Sequence, residues 1–395
     1  MSKITKMVTA TILSMSLLTI MAAAAIAPAM GVIHQHFADA PEIMVQLIIS
    51  LPALFIILTN LFFLQISRLW RTRTIAVVGL LIYVVAGTGC VFIDNLAALL
   101  VMRASLGVSV GLIMPLSTGL LSYFYPPQEQ ARLMGLSAAM NQMGGVVGTL
   151  LAGVLASIEW NYSFYVYLLG MVALLMIIRW LPNERLGTEN KRGKTFEPRQ
   201  LLKFHPSVIG ILLLTMVFFV FPTNFAIITG KQLGLDTATI TLLMVALDLL
   251  AFFVGLAFGQ LMDCFRTSIK YFAPIAFIIG YACYTCADSS LLLAIGSAFI
   301  GIANGVGVPY FMTIASIKGG KTSATTVMPM LSAALYLGQF ISPLIIIPLS
   351  NLLYGTEDVV GPYKITIGIS LVFLIQVWTT RHFQSLPPIE HTAEC

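Results

Sequence analysis

Two ionisable side chains, Arg103 and Asp248, sit deep inside runs of sequence that are otherwise apolar. On insertion scales such a group costs about 2.5–3.5 kcal/mol at the centre of a bilayer, so it faces water, a partner or a ligand. Asp248 follows Asp236 by 12 residues. At the helical rise per residue this places it roughly 18 Å below that acidic end, near the middle of a span. A carboxyl group there can take up and release a proton, or serve as counter-ion to a cationic ligand. The competing use is structural, as a bond to a neighbouring helix. Arg103 keeps its charge, so it can pair with a carboxylate or bias a nearby acid. A packing ion pair between helices is the alternative for it. Further polar side chains interrupt apolar runs at Asn60, Asn141, Gln142, Asn224, Asn304, Tyr310, Tyr336 and Gln339. Each suits a ligand contact and an interhelical hydrogen bond about equally.

Other chemistry finds less support. His34, His36 and Asp39 have the spacing of a weak metal site, but no further ligands are evident and a solvated loop is expected. Cys283 and Cys286 form a CxxC inside an apolar run without a nearby His or acid, which points to packing rather than metal or redox work. No phosphate-binding glycine loop or nucleotide domain is present. An enzyme would gather several acids, histidines or a nucleophile at one face of the membrane. No enzymatic activity, metal or cofactor is expected, and a non-transporting receptor remains as a third class.

The elements that must position these groups follow from composition. Of 395 residues, 58% are hydrophobic and 9% charged, and mean hydropathy is +0.94. A soluble domain carries about a quarter charged residues, so lipid is the solvent for most of this surface. A membrane span needs about 20 apolar residues in a helix, which satisfies its own backbone where water is absent. Twelve such helices are predicted near residues 8–32, 43–66, 74–93, 96–124, 131–157, 161–181, 206–229, 238–262, 270–287, 290–315, 324–350 and 361–382. With the N-terminus inside, 18 of the 21 basic residues fall on cytoplasmic segments. That asymmetry predicts both termini in the cytoplasm and explains the net charge of +5 without a nucleic-acid partner. Lys3 and Lys6 ahead of an apolar run ending in AAAAIAPA have the outline of a secretory signal. The run continues to Val32 and Ile33, however, and its removal would leave the plan one helix short, so it is expected to be retained.

Stretches about 194 residues apart are alike. Asp94–Pro115 (DNLAALLVMRASLGVSVGLIMP) aligns with Asp288–Pro309 (DSSLLLAIGSAFIGIANGVGVP), keeping Asp, Pro and the glycine pairs Gly107/Gly301 and Gly111/Gly305 in register. SAAM at Ser137 matches SAAL at Ser332. A duplicated six-helix half is the layout of a carrier that rocks two bundles around a central site. The predicted fold is thus an all-α membrane protein of 12 transmembrane helices in two pseudo-symmetric bundles. Residues 1–181 form the first bundle, 182–205 a basic cytoplasmic linker, and 206–395 the second bundle with a short cytoplasmic tail.

Local motifs sharpen this. Arg103-Ala-Ser-Leu-Gly107 is close to an Arg-x-x-Gln-Gly pattern, with Leu106 in place of Gln. Gly259-Gln-Leu-Met-Asp263 followed by Arg266 matches a Gly-x-x-x-Asp loop. The first copy of that loop keeps Arg68, Arg71 and Arg73 but has Ser67 where the acid belongs. Gly144-Gly145-Val-Val-Gly148-Thr149-Leu-Leu-Ala152-Gly153 is similar to a Gly-Pro-x-x-Gly-Gly segment, with Thr149 for Pro and Ala152 for Gly. Trp160-Asn161-Tyr-Ser-Phe164 adds an aromatic start to the sixth span. On these residues the chain resembles the major facilitator superfamily over essentially its whole length, and within it the drug and metabolite antiporters.

The resemblance implies the major facilitator fold, alternating access and transport driven by a proton gradient. It gives Arg103 a role in proton coupling beside Asp248, whose depth in its span makes it the candidate proton carrier, and places substrate contacts at Asn141, Gln142, Asn224, Asn304 and Tyr336 on cavity-lining helices. It assigns a cytoplasmic gate to Arg68, Arg71, Gly259, Asp263 and Arg266. Pro28, Pro115, Pro222, Pro309 and Pro343 would kink helices for gating, and 19 methionines and 24 phenylalanines would suit an adaptable apolar cavity. The expected protein is a monomeric, proton-coupled exporter of amphipathic or drug-like small molecules in the plasma (inner) membrane. A selective carrier for an organic acid, sugar or nucleoside is the alternative.

Overall fold

A computed structural model describes residues 3–125, 127–183, 198–266, 268–319 and 327–380. Among them there is no strand. The first half comprises α1 (Lys3–Ala24), α2 (Met30–His36), α3 (Glu42–Leu69), α4 (Thr72–Gly89), α5 (Leu96–Phe124), α6 (Pro127–Ala156) and α7 (Leu169–Trp180). The second comprises α8 (Pro198–Leu233), α9 (Thr237–Leu256), α10 (Phe258–Phe265), α11 (Phe272–Thr285), α12 (Ser290–Gly319), α13 (Met328–Tyr354) and α14 (Gly361–Thr379). Eleven segments among the described residues are long and apolar enough to cross a bilayer. The shorter apolar stretch Ile269–Thr285 stands where the ninth predicted span falls. Outward-pointing Leu61, Phe92, Leu175 and Leu352 supply the apolar surface that lipid requires.

Three predicted helices are interrupted. The span predicted over 8–32 ends as an α-helix at Ala24 and passes through a 3-10 turn, Ala27–Ala29, before α2. Pro28 sits in that turn, and its missing N–H and ring prevent a continuous ladder. The span predicted over 238–262 breaks at Ala257 into α9 and α10. The sixth span opens as 3-10 helix over Trp160–Leu168, a segment crowded with aromatic residues of modest helix propensity. The linker predicted over 182–205 lies largely outside the described residues, as does the tail from 381. α8 starts at Pro198, since proline suits a first helical turn.

The duplication is visible in the packing. A Cβ added to Gly107 would overlap Pro52 on α3, and one on Gly301 would lie 2.9 Å from Leu247 O on α9. A Cβ on Gly144 would overlap Leu17 O on α1, and one on Gly338 would lie 2.5 Å from Leu212 O on α8. Each pair of neighbours is separated by about the same interval as the sequence repeat, so both halves use one helix arrangement. The tyrosines repeat too, because Tyr83 donates to Leu18 O (3.1 Å) and Tyr281 to Val217 O (2.6 Å).

The helix ends define two faces of the bundle. His36, Asp94 and Trp160 meet at one end, as do Gln232 and Ala287. Thr9 meets Tyr125 and Thr72 meets Pro182 at the end where the chain starts. These are called the far and near ends below.

Candidate functional site

Asp248 lies on α9, eleven residues in from its far-end start at Thr237, and is half-buried against α6 of the other half. Its carboxylate Oδ2 accepts a hydrogen bond from Thr149 Oγ1 at 3.0 Å. No charged side chain pairs with it among the described residues. Small residues on α6 bring the two helices this close: a Cβ on Gly153, one turn beyond Thr149, would overlap the Thr241 side chain of α9. The sequence thus places a lone carboxylate at a joint between the halves. Such a group can exchange a proton or balance a cation, because no fixed charge among the described residues neutralises it.

The halves also meet where α3 packs against α13 and at several individual contacts. A Cβ on Gly31 of α2 would lie 2.8 Å from Ala226 O on α8. Gln46 Nε2 on α3 donates to Asn224 Oδ1 on α8 at 2.7 Å and to Glu42 Oε1 at 3.2 Å. Asn224 Nδ2 is also engaged, with Val220 O at 3.1 Å and Thr223 Oγ1 at 2.9 Å. Asn224 is therefore buried in this joint with both ends of its amide used. Midway down the bundle, the Tyr336 hydroxyl donates to Met114 Sδ at 3.1 Å, joining α13 to α5. At the far end, outside the spans, the Thr239 hydroxyl donates to Asp236 at 2.5 Å and holds that carboxyl below the usual range.

Arg103 does not meet Asp248. It is fully buried within the first half. Its Nε donates to Ile48 O (2.6 Å), one terminal nitrogen to the Tyr167 hydroxyl (2.6 Å) and the other to Ala22 O (2.8 Å). The guanidinium carbon lies 5.6 Å from the Tyr167 ring centroid. Both carbonyls lack a backbone donor from their own helix. Ile48 stands four residues before Pro52, which has no N–H to return. Ala22 belongs to the last turn of α1, ahead of the Pro28 turn. Tyr167 also donates to Ala22 O at 2.9 Å. Arg103 thus ties the end of α1 to the gap that Pro52 leaves in the hydrogen-bond ladder of α3, and no carboxylate pairs with it among the described residues.

The remaining predicted contacts divide. Asn141 accepts from Thr19 Oγ1 at 2.9 Å across α6 and α1. Gln142 and Asn304 are half-buried at the middle of α6 and α12 and bond to no other described residue. At the near end, Arg68, Arg71, Asp263 and Arg266 are exposed and form no ion pair among the described residues, and Gly259 is exposed with open space around it. The chain reverses at Arg266 with φ 38°. In this conformation the halves touch at the far end, and the residues of the predicted cytoplasmic gate form no ion pair among the described residues. His36, weighed above as a metal ligand, instead pairs with Asp94 at 2.5 Å and stacks 4.3 Å from Trp160.

Sequence reading missed Gln46 and Tyr167. Gln46 was legible as a polar residue within an apolar run just after Glu42. Tyr167 was not, because only the fold shows which released carbonyls lie beside it.

A family model described as Major Facilitator Superfamily matches residues 12–343. The chain is similar to the quinolone resistance protein NorA of Staphylococcus aureus (strain MSSA476), at 25% identity over 329 residues, 77% of this chain and 79% of that protein. A segment of 119 residues, 30% of this chain and 22% of that protein, is 26% identical to the multidrug transporter protein MdtP of Bacillus subtilis (strain 168). Among solved structures, the nucleoside transporter NupG superposes with TM-score 0.76 at 11% identity, covering 95% of this chain and 99% of NupG. The xylose transporter XylE from E. coli, in a partially occluded inward-open conformation, gives 0.74 at 14% identity, covering 96% and 98%. At these identities the two structures speak for the fold alone.

Proposed function

Because this chain belongs to the Major Facilitator Superfamily, and is therefore an integral membrane transporter and not an enzyme, we propose that it exports amphipathic or drug-like small molecules in exchange for protons. It works as a monomer in the plasma (inner) membrane with both termini in the cytoplasm. The observation that carries this reading is Asp248, a carboxylate with no cationic partner among the described residues, at a joint that must open when the halves rock. A group in that position changes environment between conformations, and a proton that binds the two states unequally shifts their balance. The similarity to NorA, a protein named for quinolone resistance, supports the drug-like substrate class.

In the conformation described, Asp248 faces a joined far end and the proton leaves towards the near side. Substrate then enters from the near end and meets Gln142, Asn304, Asn141 and Tyr336, whose polar groups are spaced along otherwise apolar helices. Rocking parts α6 from α9 and α3 from α8, frees Asn224 from Gln46, and closes the near end, where Asp263 and Arg266 come within reach of Arg68 and Arg71 and Gly259 allows close approach. Arg103 serves this cycle by holding the end of α1 and the proline site of α3 in shape.

The test uses purified protein in proteoliposomes, with tetraphenylphosphonium as the lipophilic cation. Wild-type protein is expected to accumulate it against a gradient when a pH difference is imposed. Asp248→Asn is expected to lose that concentrative step and retain downhill exchange. Normal pH-driven accumulation by Asp248→Asn removes Asp248 as proton carrier. Transport of a nucleoside, sugar or organic acid with no cation transport assigns the selective-carrier function instead.

A further inference from the structure

The position that the antiporter-like segment gives to proline is Thr149 here, and its hydroxyl is the sole hydrogen-bond partner of the Asp248 carboxylate among the described residues. Thr149 is buried, 2% exposed, on the face of α6 that meets α9. One turn away, Gly153 lets the two backbones close up against Thr241. A threonine in mid-helix ordinarily turns its hydroxyl back to the carbonyl four residues earlier; Thr149 reaches across to the other half instead. Titratable groups on the neighbouring elements are distant along the chain. α8 has Arg199, Lys203, His205 and Lys231 near its ends, and α12 has Tyr310 and Lys318. α6 has Glu129 and Arg132 in its first turns and none from Leu133 to Ala156, and α10 has Asp263 and Cys264. Among the described residues, Thr149 is the only side chain that bonds to the Asp248 carboxylate.

Resting on the proposed role of Asp248 as proton carrier, we infer that Thr149 is the positioning residue that ties its ionisation to closure of the far end. A hydrogen bond donated to a carboxylate favours the charged form. That bond exists only while α6 and α9 are together. Ionised Asp248 therefore pulls the halves shut at the far end. When the carboxyl is protonated it becomes the weaker acceptor, the tie loosens, and α6 and α9 are freer to part. Once the far end has closed, loss of the proton towards the near side makes the bond, and the tie holds the closed state until substrate binding outweighs it.

The test reads closure directly, without any substrate. Spin labels are placed at Ser157→Cys and Ala238→Cys, exposed positions at the far ends of α6 and α9, in a chain whose five native cysteines are replaced. The distance distribution is recorded from pH 5 to pH 9 in nanodiscs. The fraction with a short distance is expected to rise with pH in the otherwise unmodified chain. Thr149→Val, which keeps shape and removes the donor, is expected to move that midpoint by about one pH unit in the alkaline direction. Thr149→Ser is expected to leave it in place, and Asp248→Asn to flatten the titration. If Thr149→Val titrates like the unmodified chain, Thr149 is not the tie. If Asp248→Asn keeps the original midpoint, the titrating group lies elsewhere and the proposed proton carrier falls with it.

Discussion

Replacing Arg103 by methionine removes three hydrogen bonds at once, yet the energetic consequence is concentrated at one atom. Ala22 O keeps the Tyr167 hydroxyl at 2.9 Å, and the volume stays roughly filled. Ile48 O is different, because Pro52 offers it no backbone N–H and Arg103 Nε, at 2.6 Å, is its donor. An unsatisfied buried carbonyl costs about 1–3 kcal/mol. The single mutant also recovers the several kcal/mol spent in desolvating a guanidinium, so its net stability does not isolate the bond. Pro52→Ala does, since it restores an N–H to Ile48 O within α3. Arg103→Met is therefore expected to be less harmful in the Pro52→Ala background, with a coupling energy of about 1–3 kcal/mol. The assay is a double-mutant cycle on reversible unfolding in mixed micelles. Additivity within about 0.5 kcal/mol would refute the assignment of Arg103 to the carbonyl released by proline.

Two further outcomes concern the joint at the far end. Gln46→Leu leaves Asn224 Oδ1 buried without its donor, which should weaken the closed far end by about 1–3 kcal/mol and raise labelling of a cysteine placed at Thr223. Adding Asn224→Leu should recover closure, because apolar replacement of both partners is nearly neutral; labelling that stays high shows the pair is not the seal. Gly153→Ala should push α6 from α9 at Thr241, at about 1–3 kcal/mol of overpacking, and lengthen the Ser157–Ala238 distance. Thr241→Gly should restore it, and a distance unaltered by Gly153→Ala refutes close backbone contact there.

Much of the architecture was legible because lipid leaves the chain few choices. Long apolar runs in helical form, and a glycine and proline pattern repeating at about 194 residues, dictate two like bundles whatever their details. Gly107 and Gly301 show why: each is a site where a neighbouring helix leaves no room for a side chain, and a glycine required for packing is visible in sequence. Breaks inside spans were less legible. Pro28 announced a kink, but only the structure showed that α1 stops at Ala24 and passes through a 3-10 turn.

The sequence by itself determined that Arg103 and Asp248 must be accommodated inside the membrane, since burying charge in hydrocarbon demands a reason. It did not determine with what. Tertiary structure decided that Arg103 binds Ala22 O, Ile48 O and Tyr167, and that Asp248 is met by Thr149 from the opposite half. Depth in a helix is a local quantity, fixed by rise per residue, whereas a partner depends on how helices far apart in the chain are rotated and packed. That rotation is set by the sum of many small contacts, and no single residue type reports it.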